Sequence, residues 1–238
     1  MKNKIFLKIM SLFKKTVKEL FVKRSYSQSG EDLIMKFIFD TIGINKPSYI
    51  DIGAHHPFHI NNTAIFYKLG SRGINIEPNP ESIKLFKKSR QKDINLNIGI
   101  GLKEGNLDYY KLSASSLNTF SKEAAEEYQK ENGYKIIGKE KIKISTLKNI
   151  IEIYHNGIFP DFLSLDVEGM DDEILHSINY KSNYPIVICV ETISFSEKGK
   201  GIKNDNIISF LEQQGYIVYA DTYINTIFVK KNKWENHG

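Results

Sequence analysis

The chain has 238 residues, 41% hydrophobic and 12% aromatic, with one cysteine and a net charge of +5. That length accommodates one substantial α/β domain plus an appendage, and that composition excludes a disordered chain. A single cysteine excludes an intrachain disulfide framework and fits a reducing compartment. Cys189 lies in the apolar run YPIVICVET and is expected to be a buried thiol.

Residues 1–24 hold seven lysines, Arg24 and one acid, Glu19, a net +7 that leaves −2 for the remainder. The basic balance thus belongs to the first segment. With no zinc-finger or RNA-binding signature, the main body is not expected to bind nucleic acid. Within 1–24, Ile5, Ile9, Leu12, Phe13, Val17 and Leu20 recur at helical spacing between lysines. No apolar run reaches membrane-spanning length and no small-residue cleavage site is present, so neither a transmembrane span nor a signal peptide is expected. Two readings of this amphipathic helix stay open. It packs on the domain or on a second subunit, as in a homodimer, or it rests on anionic lipid. The chain divides into a basic amphipathic helix, 1–24, and a main domain, 25–238. Its expected location is the cytoplasm, peripheral at the inner face of the membrane under the lipid reading.

Along the main domain, SYIDIGA reads as a buried strand and NNTAIFYKLG as a helix ended by Gly70. Asn62 and Thr63 are expected to cap that helix. RGINIEP is a second strand and PESIKLFKKSRQ a second helix, with Pro80 at its start. INLNIGIG is a third strand, GNLDYYKL an edge strand and LSASSLNTF a polar loop that can form a substrate flap. KEAAEEYQKEN is a polar helix, EKIKIST a strand and TLKNIIEIYH a helix. DFLSLDVEG and YPIVICVET are strongly apolar strands separated by the short helix MDDEILHSI. NDNIISFLEQQG is a helix, and YIVYADTY and NTIFVKK close the chain as a hairpin. The alternation implies a doubly wound, mostly parallel sheet covered on both faces, with an antiparallel strand from the terminal hairpin.

In such a sheet, ligands bind beyond the carboxyl ends of the strands. The first strand ends in Asp51, Gly53, His55 and His56, the second in Glu77 and Pro78. DFLSLDVEG ends in Asp166 and Glu168, YPIVICVET in Glu191. An acid one β-α-β unit after the first loop can accept both hydroxyls of a ribose, which assigns that role to Glu77. Gly53, without a Cβ, allows close approach of backbone and cofactor. The full G-x-G-x-x-G fingerprint is missing, which counts against a nicotinamide cofactor.

YSQSGEDLI, YIDIGAHHP, NTAIFYKLGSRGINIEPNP, FLSLDVEG and ICVE together resemble the FkbM-type methyltransferases, which use S-adenosylmethionine (SAM). The resemblance runs in order from about Tyr26 to Lys230. The paired histidines resemble a subgroup associated with surface-polysaccharide and glycolipid biosynthesis. The resemblance implies a seven-stranded SAM-dependent fold and O-methylation of a hydroxyl on a sugar, free, nucleotide-linked or carried by a glycan precursor. It implies that Tyr26, Gln28, Asp51, Gly53, Glu77 and Pro78 border SAM.

An alcohol attacks a sulfonium methyl group poorly while protonated, so a base or a metal must help remove its proton. His55, His56 and Asp166 are the candidate catalytic residues. Asp166, Glu168, Glu191 and His56 are a candidate ligand set for a divalent metal. Acids so close together repel and a cation relieves the conflict, so a metal-assisted mechanism is expected over a lone base. Two alternatives stay open: a dinucleotide-dependent oxidoreductase on a similar sheet, and a non-catalytic scaffold subunit of a membrane-associated glycan assembly.

Overall fold

The computed structural model describes residues 22–131, 133–167, 169–193 and 201–236. The expected helix over 1–24 lies almost wholly outside them, as do Glu168 and His237. No helix among the described residues is long and apolar enough to cross a membrane.

Strands β1 (Tyr49–Ile52), β2 (Gly73–Ile76), β3 (Ile94–Leu96), β7 (Phe162–Leu165), β8 (Val187–Glu191), β9 (Tyr216–Asp221) and β10 (Asn225–Lys230) form a seven-stranded sheet. Its order is β3-β2-β1-β7-β8-β10-β9. The first five are parallel, whereas β10 runs antiparallel to both β8 and β9. This is the doubly wound sheet with a terminal hairpin that the sequence implies.

Continuous apolar runs make the central strands. All of YIDI and FLSL is buried, as strands covered on both faces require. Side-chain alternation divides the core in two. Ile50, Ile52, Leu163, Leu165, Ile188 and Val190 face one layer, which includes helices α5 (Leu147–Tyr154), α6 (Asp171–His176) and α7 (Asp205–Gln213). Tyr49, Phe162, Val187 and Cys189 face the other, with α1 (Glu31–Thr41) and α2 (Ala64–Lys68). Cys189 is the buried free thiol expected.

Between β3 and α5 the chain departs from the expected pattern. INLNIGIG is two strands, β3 and β4 (Gly99–Ile100). Strand β4 joins β5 (Gly105–Leu112) and β6 (Ile136–Ser145) in a separate three-stranded sheet of order β4-β6-β5. GNLDYYKL is therefore an edge of this small sheet and not of the main one. Between β5 and β6 lie a 3-10 turn, Ser115–Leu117, and α4 (Lys122–Glu131). Tyr110, Leu112, Leu117 and Ala125 give the excursion a small core of its own.

A buried cation anchors the edge of the main sheet. Arg90 follows α3 (Pro80–Ser89) and is fully buried. Its Nε donates to Asp93 at 2.8 Å, Nη2 to the Tyr49 hydroxyl at 2.8 Å, and Nη1 to Asn61 Oδ1 and Thr63 Oγ1 at 3.1 and 3.0 Å. Tyr49 donates to Asp93 in turn, at 2.8 Å. The guanidinium also lies over the rings of Tyr49, Tyr67 and Phe86. Thr63 is therefore no side-chain cap of α2; its hydroxyl donates to Asp51 at 2.7 Å, and Asn62 reaches Ser164 at 3.3 Å. The expected capping role fails because stronger, buried partners claim both side chains.

Replacing Arg90 by methionine keeps much of the volume but strands the Asp93 carboxylate. Removing one partner of a buried ion pair costs about 3–5 kcal/mol. Urea unfolding of Arg90→Met should show a loss of that order.

Candidate active site

The winding reverses between β1 and β7, which pair with Ile52 opposite Leu165. A cavity of about 770 Å³ opens beyond these strand ends. That volume lies in the range of about 300–1,000 Å³ typical of small-molecule and cofactor sites. Gln28, Gly53, His55, Pro78, Asp166 and Glu191 all border it. Tyr26, Asp51, His56 and Glu77 do not border it, and Glu168 lies outside the described residues.

The loop after β1 starts at Gly53, whose φ of 79° is left-handed. A Cβ there would stand 1.8 Å from the Asp166 carbonyl oxygen. The glycine is thus required by the backbone just after β7, a reason additional to the cofactor approach expected. The N–H groups of Gly53 and Ala54 both donate to the Ile76 carbonyl, at 3.0 and 3.1 Å, pinning the loop to β2.

His55 also has a left-handed φ, of 53°. This costs a residue with a Cβ about 1–2 kcal/mol. The conformation directs its N–H onto Glu77 Oε2 at 2.7 Å, while Glu77 Oε1 accepts from the Asn79 N–H, also at 2.7 Å. Two backbone donors thus fix the carboxyl group and leave lone pairs for further hydroxyl donors. Glu77 is 6% exposed, and burial pushes its pKa up to about 7 despite those two bonds. Glu77 itself does not line the cavity, but its neighbours His55 and Pro78 do.

Asp51 serves the loop's interior. It is buried, accepts from Asn61 Nδ2 at 3.0 Å and Thr63 Oγ1 at 2.7 Å, and feels the Arg90 charge. Tyr26 likewise supports the site. Its N–H donates to Asp32, its carbonyl accepts from Asn61, and its ring packs on Phe58. Gln28 reaches the cavity because Glu31 and Asp32, both fully buried, tether the turn that carries it. Glu31 accepts from the Ser29 N–H and from Thr222 and Asn225, tying this stretch to the β9–β10 hairpin.

Opposite stand the acids of β7 and β8. Asp166 is exposed toward the cavity, and such desolvation as its surroundings impose raises its pKa. A hydrogen bond with the Glu191 carboxyl works against the rise, and the Asp51 charge adds to it. Because water in the cavity reaches Asp166, the rise is tempered. Glu191 also borders a second cleft of about 550 Å³, which shares Gly169 and Ile193 with the first.

Of the proposed metal ligands, the structure brings together Asp166 and Glu191. His56 is engaged elsewhere: its Nδ1 accepts from the Phe58 N–H at 3.2 Å and its ring meets His59 edge-on. Among the described residues, no group of three His, Cys, Asp or Glu side chains is placed to hold a metal ion. His55 is the imidazole at the cavity; burial, then the neighbouring His56 and His59, lower its pKa, which leaves it neutral at pH 7. Sequence reasoning missed the small-sheet residues of the cavity wall, Leu107, Tyr109 and Phe120 among them. The polar run LSASSLNTF was the one signal for that wall.

The strand order thus sets an acid after β2 and two carboxyls across the switch point, where a doubly wound sheet binds its ligand. The chain belongs to the FkbM methyltransferase family: the model of the methyltransferase FkbM domain matches residues 51–218. A comparison with curated proteins finds no match. Among solved structures, the chain is similar to a TehB-like SAM-dependent methyltransferase from Corynebacterium glutamicum, at 10% identity, covering 94% of this chain and 97% of that one, with a TM-score of 0.43. It is also similar to precorrin-6y C5,15-methyltransferase from Geobacter metallireducens, at 12% identity, covering 88% of this chain and 92% of that one, with a TM-score of 0.40. The oxidoreductase alternative falls with the family assignment.

Two outcomes test this geometry. Glu77 and Asp171 are both raised to about 7 from ordinary values of 4.5 and 3.8, chiefly by burial. The fold prefers their protonated forms. Their contribution to stability is therefore full at acid pH below the ordinary values and is lost as pH rises toward 7. Urea unfolding of the ligand-free protein across that window should show this decline. Glu77→Gln should remove its share of the decline, leaving that of Asp171, and weaken SAM binding by about tenfold or more, since charge-assisted bonds are lost. His55→Gly relieves the left-handed strain but forfeits backbone entropy, so its stability should stay within about 1 kcal/mol of the parent. Its turnover should fall if the imidazole acts on the reactants, a split that unfolding and rate measurements together resolve.

Proposed function

We propose that this chain transfers the methyl group of SAM to a hydroxyl of a sugar, with Asp166 and Glu191 receiving the hydroxyl proton. The observation that carries the reading is that Asp166 and Glu191 border the same cavity at the switch point, near enough for each carboxyl to influence the other. Two carboxyls this close bind the first proton more tightly than either would alone, so the ionised pair is a base of raised proton affinity. When bound, SAM supplies a methyl group on a positively charged sulfur, open to in-line attack.

The chain's own residues supply the rest. Glu77, Gly53 and Pro78 hold the donor side, and the rigid strand ends fix the distance to the carboxyl pair. As the oxygen–methyl bond forms and the sulfur–methyl bond breaks, the hydroxyl proton passes to the pair. His55 borders the same space as a neutral imidazole, able to accept or relay that proton.

The sequence argument for a divalent metal was the repulsion among strand-end acids. Within the Asp166–Glu191 pair, uptake of one proton relieves that repulsion without a metal. Both acids are hard oxygen donors, and a divalent cation remains the competing account of their proximity. A sugar as acceptor, and a place in surface-polysaccharide assembly, rest on the resemblance of the paired-histidine loop.

Asp166→Asn should lower kcat by about 100- to 10,000-fold, the usual contribution of a positioned base, with SAM affinity unchanged in calorimetry. Activity can be followed by mass spectrometry of sugars that gain one methyl group. Enzyme dialysed against chelator should keep its rate. A rate lost to chelator and restored by a divalent cation would reassign the pair as metal ligands.

A further inference from the structure

The small sheet is more than an ornament on the fold. Its strand β5 and the following loop wall the cavity with Tyr109, Ser115, Ser116, Asn118, Thr119 and Phe120. The loop is held in place. Tyr110 and Thr119 exchange backbone hydrogen bonds at 2.8 and 3.2 Å, and Leu117 plugs the small core between them. Tyr109 and Phe120 pack ring against ring with centroids 4.9 Å apart.

Most polar side chains of this loop are spent on holding its shape. Ser113 accepts from the Lys135 N–H, Asn118 from the Leu112 N–H, Thr119 from the Ser121 N–H, and Ser121 from the Ala124 N–H. Ser115 and Ser116 differ. They sit side by side on the 3-10 turn, exposed to the cavity, and their hydroxyls make no hydrogen bond within the described protein. The stretch SASSLNTFS carries no charge. Two unspent hydroxyls on a wall that also carries the half-buried Phe120 match an uncharged ring bearing hydroxyl groups: apolar C–H faces lie on the Phe120 ring, which buried Tyr109 backs, while hydroxyls exchange hydrogen bonds with serine.

We propose that Ser115 and Ser116, with the Tyr109–Phe120 pair, form the wall that reads the acceptor and select an uncharged, hydroxylated ring. This rests on the reading of the site as an O-methyltransferase and names the residues that give it specificity.

The test uses the full chain loaded with S-adenosylhomocysteine and a panel of uncharged methyl hexosides, observed by saturation-transfer NMR. The double variant Ser115→Ala, Ser116→Ala loses only exposed hydroxyls, so its unfolding midpoint should not move. Its affinity for S-adenosylhomocysteine should also be unchanged, while binding of the best hexoside weakens about tenfold, as the loss of two modest hydrogen bonds predicts. No hexoside signal on the parent protein overturns the assignment, as does equal binding by the variant. Weakened S-adenosylhomocysteine binding overturns it too, because the wall would then belong to the cofactor. A hexoside that binds through these serines but is never methylated keeps the wall and refutes the proposed reaction.

Discussion

The guanidinium of Arg90 is the point from which the site hangs. An ion out of water is tolerable only with its hydrogen bonds met, and here Asp93, Tyr49, Asn61 and Thr63 meet them. Asn61 and Thr63 belong to the loop that follows β1, and both also donate to Asp51. The loop is thus clamped between a cation at the sheet's flank and an anion at a strand end. Its other end is pinned to the Ile76 carbonyl. Held at both ends, it can keep His55 in a strained conformation and direct one N–H at Glu77. The strain at His55 is tolerated because its surroundings over-determine it.

This arrangement also joins the two sides of the chemistry. Gly53 and Asp166 meet backbone to backbone, with no room for even a methyl group between them. The loop whose His55 N–H holds Glu77 is therefore in contact with the main chain that carries Asp166. Neither can drift without displacing the other. Positioning of this kind is what a methyl transfer needs most, since its in-line geometry is demanding and its covalent contribution from protein is small.

The main sheet was legible in the sequence because buried parallel strands write themselves as unbroken apolar runs, and YIDIG, FLSLDVEG and YPIVICVET are such runs. Their terminal acids stood out for the same reason: a charge that ends an apolar strand emerges at an edge. The small sheet was not legible in this way. Its strand IIGKEKIKIS alternates exposed and half-buried residues over most of its length, and nothing local says which partner such a strand will choose. Arg90 was hidden in KKSRQK, a stretch that reads as a solvated helix end until tertiary contacts claim one of its cations. Asn62 and Thr63 read as helix caps because local rules favour them there. Buried partners more than ten residues away in sequence override those rules.

The path of the small sheet has a consequence for how this fold can change. The strand that leaves at Gly105 and the strand that returns at Ile144 are paired residue to residue at that very point. To the rest of the chain, the intervening segment behaves like a tight loop, whatever its length. The entropic cost of closing it grows only slowly with added residues, about 0.6 kcal/mol for each doubling. The wall over the cavity can therefore be lengthened, shortened or exchanged as a cassette without shifting the register of the seven central strands or moving Glu77 and Asp166. A single catalytic frame could in this way be fitted to many acceptors by rewriting one segment.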